Sequence, residues 1–197
     1  MTAVFVNYRT SDEPSAATLL KRGLSERLGE DTVFLASDRG IPPGNDFERE
    51  LLHRVRGCRV LLAVVGPRWL TPTGPDGQRP IDQDGDWVRR EIAEAFAHDI
   101  RVIPILVGAT KRLTGETLPP AIAPITTCQY LRLRHHDLDS DLDTIADALT
   151  KAIPELARPG VDNSPTNGQI VISAHATGHS RIYQAVRDQT INESPQK

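Results

Sequence analysis

The chain has 197 residues, 39% of them hydrophobic and 25% charged, with a formal net charge of -3. This composition supports a packed core and excludes wholesale disorder and collagen-like repeats. A slight acidic excess disfavours a general nucleic-acid binder, which ordinarily carries a basic surplus. No apolar run approaches the roughly 18 residues needed to cross a bilayer, and no basic-then-apolar leader precedes the first strand, so a cytoplasmic protein without membrane contact is expected. Cys58 and Cys128 each adjoin an apolar run and read as small core residues rather than halves of a bridge.

Strand-like and helix-like patterns alternate over residues 3–153. The first strand is Val4 to Tyr8. A helix follows near Pro14, capped by Ser11, with Ala16, Leu19, Leu20, Leu24 and Leu28 at helical spacing. Val33 to Leu35 form a second short strand, which runs into the Gly- and Pro-containing loop Ser37 to Gly44. Asn45 and Glu48 have the spacing of a capping box, Phe47, Leu51 and Val55 make the inward stripe of the next helix, and Gly57 is placed to end it.

Val60 to Val65 is continuously apolar, as a strand covered on both faces by helices must be. A polar loop from Thr71 to Asp86 leads into a helix with Val88, Ile92, Ala95 and Phe96 inward. Val102 to Val107 is the next strand, its Pro104 suggesting an edge position or an irregularity. Residues 108–127 read as loop with at most a short helix. Gln129 to Leu133 alternate like a half-exposed strand, and Ser140 caps a last helix with Leu142, Ile145, Leu149 and Ile153 inward.

Repeated strand–helix units require crossovers, so the expected fold is α/β: a flavodoxin-like, doubly wound, five-stranded parallel sheet in the order 2-1-3-4-5. It forms a domain over residues 1–153. Residues 154–168, rich in Pro and Gly, read as a flexible linker. Residues 169–197 hold two β-prone runs around Gly178, and a lone hairpin needs a partner to persist in water.

Ligands of such sheets bind beyond the carboxyl ends of the strands. The loops there carry Tyr8, Arg9, Thr10 and Ser11 after the first strand, Ser37, Asp38 and Arg39 after the second, and Arg68 and Trp69 after the third. Trp87 and Glu91, four residues apart at the start of the helix after the polar loop, stack on one face, an aromatic plate beside a carboxylate. A tryptophan at a helix start is also an ordinary packing residue, and acidic helix faces are ordinarily solvated. No Gly-x-Gly-x-x-Gly follows the first strand, no phosphate-loop lysine pattern or nucleophile elbow appears, and no histidine pair has zinc spacing. No metal and no resident cofactor are expected.

Four segments in order resemble the Toll/interleukin-1 receptor (TIR) family. Val4-Phe5-Val6-Asn7-Tyr8-Arg9 resembles its opening box, Ser37 to Gly44 its variable BB loop, Arg59 to Trp69 its third strand and the box after it, and Asp86 to Ile92 the helix that carries the glutamate of NAD-cleaving members. Val102-Ile103-Pro104-Ile105 matches the strand that follows, and the resemblance covers about residues 1–153. It implies cleavage of the nicotinamide–ribose bond of NAD, as substrate, with Glu91 as the catalytic acid. By the same resemblance Trp87 or Trp69 stacks on a base, Arg9 or Arg39 meets the pyrophosphate, and Asp38 shapes the loop over the site. Thr10 departs from the second basic or polar residue of many catalytic members, and the Thr71–Asp86 loop is longer than in compact adaptor members.

Active members complete their site between subunits through the BB loop, which implies a homo-oligomer. The tail segment Ser180-Arg181-Ile182-Tyr183-Gln184-Ala185 resembles bacterial amyloid-signalling motifs akin to the necroptosis RHIM motif, with Ile182, Tyr183 and Gln184 as assembly residues. That resemblance implies a receptor partner carrying a matching motif and a role in bacterial defence or cell death. The alternatives are a non-catalytic TIR–TIR interaction module and a nucleoside deoxyribosyltransferase-like enzyme.

Overall fold

The computed structural model describes residues 3–35, 44, 46–71, 77–115 and 118–156. Ser37, Asp38 and Arg39, and the tail residues Ile182, Tyr183 and Gln184, lie outside the described residues, as do most of the expected linker and all of the expected tail.

The described elements are β1 (Val4–Asn7), α1 (Pro14–Leu28), β2 (Val33–Leu35), α2 (Phe47–Gly57), β3 (Val60–Val65), α3 (Trp87–Ala97), β4 (Arg101–Val107), β5 (Leu131–Leu133) and α4 (Leu138–Ala152). The five strands form one parallel sheet in the order β2-β1-β3-β4-β5, as the alternating pattern predicts. Its centre is dry on both sides: every residue of β1 and β3 is buried.

Side chains alternate across the pleat, which sorts the core into two clusters. Val4 and Val6 of β1 join Val60, Leu62 and Val64 of β3 beneath α1 and α4. Phe5 joins Leu61, Ala63 and Val65 beneath α2 and α3, with Leu51, Val55, Val88, Ile92 and Ala95 closing that layer. Pro104 lies within β4, between β3 and β5, rather than on an edge strand. It is tolerated because β5 pairs only with Ile105 to Val107, so Pro104 stands just before that ladder begins.

Several local readings change. Helix α1 takes Glu13 as N-cap without a side-chain bond, not Ser11, because Pro14 already fills the first helical position. Helix α2 is capped by Asp46 rather than Asn45, its carboxylate accepting from Arg49 N at 3.1 Å. Ser140 lies inside α4, which starts at Leu138. Leu19 and Phe47, expected inward, are each 37% exposed. Cys58 is a buried core thiol, pushed by burial up to about 11, whereas Cys128 is only half-buried. The start of the expected linker, Pro154–Leu156, is a 3-10 turn whose Leu156 packs partly on the α1/α4 cluster.

The loops at the carboxyl ends of β1 and β3 are tied by one acid. Asp12, 2% exposed, accepts from Gly66 N at 2.7 Å and Arg68 N at 2.8 Å, while the Arg68 guanidinium donates to Asp12 O at 2.7 Å. A Cβ on Gly66 would sit 2.6 Å from the Asp12 carboxylate. Gly66→Ala is therefore expected to push Asp12 off its two amide donors and to destabilise the domain by about 2 kcal/mol or more. Denaturant melts with an unchanged slope check this; an alanine variant as stable as the parent contradicts it.

Candidate functional site

An open cleft of about 580 Å³ lies beside the carboxyl end of β1, walled by the loop after that strand and by the first turns of α2 and α3. Tyr8, Arg9, Phe47, Trp87 and Glu91 all line it. Cavities of this size accept small-molecule ligands. The structure thus brings together four of the expected residues, Tyr8, Arg9, Trp87 and Glu91. Trp69 is not among them: it is 1% exposed in the α2/α3 core and lines a separate cavity with Leu70, Val107 and Lys111. A base stacked in the Glu91 cleft therefore has Trp87, not Trp69, to meet.

Glu91 occupies an unusual place for a carboxyl. The inward stripe of α3 is Val88, Glu91, Ile92 and Ala95, so the acid takes one apolar position of the core face. It is 3% exposed and forms the floor of the cleft rather than its rim. Its Oε2 accepts from Asn7 Nδ2 at 2.6 Å. Burial pushes its carboxyl up to about 8; the Asn7 bond pulls it down, and the charge of nearby Asp86 pushes it up further. A proton-holding carboxyl in a cleft is the kind of perturbed group that marks functional sites.

Among the described residues no cation offsets the acid, and the surroundings explain why. Both terminal nitrogens of Arg9 bond Asp86, at 2.7 and 3.0 Å, and the two side chains are 8% and 7% exposed. Asp86 is also the N-cap of α3, accepting from Arg89 N at 2.9 Å. One carboxylate thus starts the helix and holds the arginine. Arg9, expected to meet a pyrophosphate, has both terminal nitrogens on Asp86 and its Nε buried without a partner among the described residues, and Arg39 lies outside them.

The aromatic wall is organised in the same way. The Arg90 guanidinium lies 4.5 Å over the Trp87 ring and is paired with Glu48 of α2, while Phe47 meets Trp87 edge-on at 5.5 Å. This contact explains the exposed Phe47: it stands at the cleft wall instead of in the core.

Asn7, Asp86 and Phe47 escaped the sequence reading as parts of the site. Asn7 had a signal, since a polar residue in an otherwise apolar, doubly covered strand needs a buried partner. Asp86 had one as an N-cap candidate ahead of Trp87. Among the described residues no group of three or more His, Cys, Asp or Glu side chains is arranged to hold a metal ion, and no helix is long and apolar enough to cross a membrane.

The sheet order, the helices on both faces and a cleft at the carboxyl end of β1 define a doubly wound α/β domain, with the cleft where sheets of this kind bind their ligands. A profile of the TIR domain matches residues 4–149, and the chain belongs to the TIR domain family. It is 28% identical to the NAD(+) hydrolase tir-1 of Caenorhabditis elegans over 148 residues, 75% of this chain and 14% of that protein. It is 28% identical to the NAD(+) hydrolase sarm1 of Drosophila melanogaster over 144 residues, 72% of this chain and 10% of that protein. The chain thus spans about a seventh or less of these curated relatives. The TIR domains of the activated Roq1 resistosome, which recognises the pathogen effector XopQ, share the fold with a TM-score of 0.57 at 13% identity, over 76% of this chain and 99% of theirs.

Burial of Glu91 has a consequence for stability. In an unfolded chain its carboxyl titrates near 4.5, in the folded domain near 8. Between these values the folded state holds the extra proton, so this contribution is fully present below about 4.5 and is lost as pH rises through about 8. Glu91→Gln, neutral at every pH, is expected to gain stability relative to the parent by roughly 1.4 kcal/mol per pH unit across that window. Paired denaturant melts from pH 5 to 9 read the difference, and a constant gap contradicts the assignment.

Proposed function

We propose that this TIR domain hydrolyses NAD at the bond between nicotinamide and ribose, with Glu91 as the catalytic acid residue. Support comes from a buried carboxyl at the floor of an aromatic-walled cleft, on a domain whose family members include proteins named NAD(+) hydrolases. The placement of Glu91 is the single observation that carries the reading.

The bond electrons leave with the pyridinium nitrogen, turning cationic nicotinamide into a neutral leaving group, so no proton donor is required there. Positive charge develops on the ribose, and an ionised Glu91 holding the ribose hydroxyls stabilises that oxocarbenium-like state. Water adds to the anomeric carbon and loses a proton, giving ADP-ribose; attack by a ring nitrogen of the adenine instead gives a cyclic isomer. Trp87, at the cleft wall, offers its ring to a base.

Glu91 must be ionised for this work, and the free protein holds its proton up to about 8. The rate constant kcat/KM is accordingly expected to rise with pH towards a plateau above that value. Glu91→Ala and Glu91→Gln are expected to lower nicotinamide release by about a hundredfold or more, measured by chromatography at pH 8.5. Equal release by parent and variants refutes the role of Glu91. No release from NAD by the parent, dilute or clustered, leaves the TIR–TIR interaction module, and activity on free nucleosides but not NAD leaves the deoxyribosyltransferase-like enzyme.

Activation by self-assembly, a receptor with a matching motif and a role in bacterial defence form the wider part of the proposal. They rest on the resemblance of Ser180 to Ala185, a segment outside the described residues. Stacked tails would raise the local concentration of TIR domains.

A further inference from the structure

Asn7 ends β1 and is 0% exposed. Phe5 packs in the α2/α3 layer, and side-chain alternation sets Asn7, two residues on, against the same layer. Its Nδ2 donates to Glu91 Oε2 at 2.6 Å and to the Val88 carbonyl at 3.3 Å. Two acceptors on one side fix the orientation of the amide, since a flipped group would set Oδ1 against both. Because Val88 O belongs to the backbone of α3, the amide is registered to the helix itself and not only to the acid that the helix carries.

The remaining atom, Asn7 Oδ1, is buried without a hydrogen-bond partner among the described residues. An orphan acceptor of this kind costs on the order of 1–3 kcal/mol. A leucine of similar size would fill the space without that cost, so packing alone does not account for an amide here. What the amide supplies is a donor for one oxygen of a carboxyl that no described cation reaches, Arg9 being held by Asp86. Glu91 Oε1 makes no hydrogen bond among the described residues.

We propose that Asn7 is a positioning residue for Glu91: it grips Oε2 and leaves Oε1 directed to the ribose of a substrate in the cleft. This rests on the reading of Glu91 as the acid residue of an NAD glycohydrolase. Asn7 acts through Glu91 and does not touch the substrate. By donating to the carboxyl it favours the ionised form, against the burial that opposes it.

The test uses the full chain and has two independent readouts. Carboxyl carbon NMR, with the Glu91 signal assigned by its loss in Glu91→Gln, follows ionisation without reference to activity. In the parent, the side-chain NH2 resonances of Asn7 are expected to shift with pH at the Glu91 midpoint and to stop doing so in Glu91→Gln. In Asn7→Leu the midpoint is expected to rise by about one pH unit. The kcat for NAD is expected to fall at least about tenfold above both midpoints, with KM within about twofold. Asn7 resonances that ignore the titration of Glu91 overturn the proposal, and this readout needs no variant of Asn7 that folds. An unmoved midpoint in folded Asn7→Leu, or a kcat within twofold of the parent, overturns it as well. If Glu91→Gln releases nicotinamide as fast as the parent, the glycohydrolase reading fails by itself, and the NMR readout still decides whether Asn7 holds Glu91.

Discussion

A carboxyl occupies an apolar position on the core face of a helix, and the architecture around the cleft follows from what that placement demands. Transfer of an ionised carboxylate out of water is prohibitive unless charge or hydrogen bonds replace the lost hydration. Glu91 has one donor, Asn7 Nδ2, and no described cation in contact, so the folded domain keeps its proton across neutral pH. The acid sits one turn into α3, where the helix passes over the end of β1, and the cleft opens at that crossing. A shift of α3 by a fraction of a turn would carry the group deeper into the core or out to solvent.

Two features keep α3 in place. Asp86 caps the helix and, with its other contacts, clamps Arg9 from the loop after β1, so helix start and strand end are joined by a bidentate ion pair that is almost fully buried. Breaking one partner of such a pair leaves an uncompensated buried charge. Asp12 performs the corresponding task between the loops after β1 and β3, which Gly66 makes possible by leaving room for the carboxylate. The negative charge of Asp86 also raises the proton affinity of Glu91. The residue that locates the acid therefore helps to set its ionisation.

The order of the strands was legible because it depends on pattern alone. Val60 to Val65 is apolar at every position, which only a strand covered on both faces requires, and each strand is followed by a segment able to cross over. Caps were read less well. Asn45 and Asp46 are neighbours of similar chemistry, and backbone dihedrals, which composition does not encode, decide between them. At the site, helical spacing sets Glu91 beside Trp87 and a family likeness gives it a role, but its burial is not legible, since a glutamate beside Arg89 and Arg90 reads as a solvated face. The Arg9–Asp86 pair joins residues 77 apart in sequence, and no local rule matches one arginine among many to one aspartate. Trp69 follows a strand at the expected edge, yet its ring packs in the α2/α3 core, a direction that its place in the chain does not encode.

Under the proposed chemistry, the lack of a cation beside Glu91 among the described residues has a use. An ionised Glu91 would be a buried anion with a single amide donor among the described residues, while Arg9 is held in an ion pair with Asp86. A ligand that carries its own positive charge at the reacting centre, as oxidised NAD does and NADH or a neutral nucleoside does not, compensates that anion and so draws the proton off Glu91 as it binds. The same carboxylate is then in place as the positive charge passes from the pyridinium to the ribose. A lysine or a free arginine beside Glu91 would hold the acid ionised in advance but would oppose the cationic nicotinamide ring and the positive charge that develops on the ribose. Keeping Arg9 tied to Asp86 therefore serves two ends at once: it secures the helix, and among the described residues it leaves Glu91 without a competing cation.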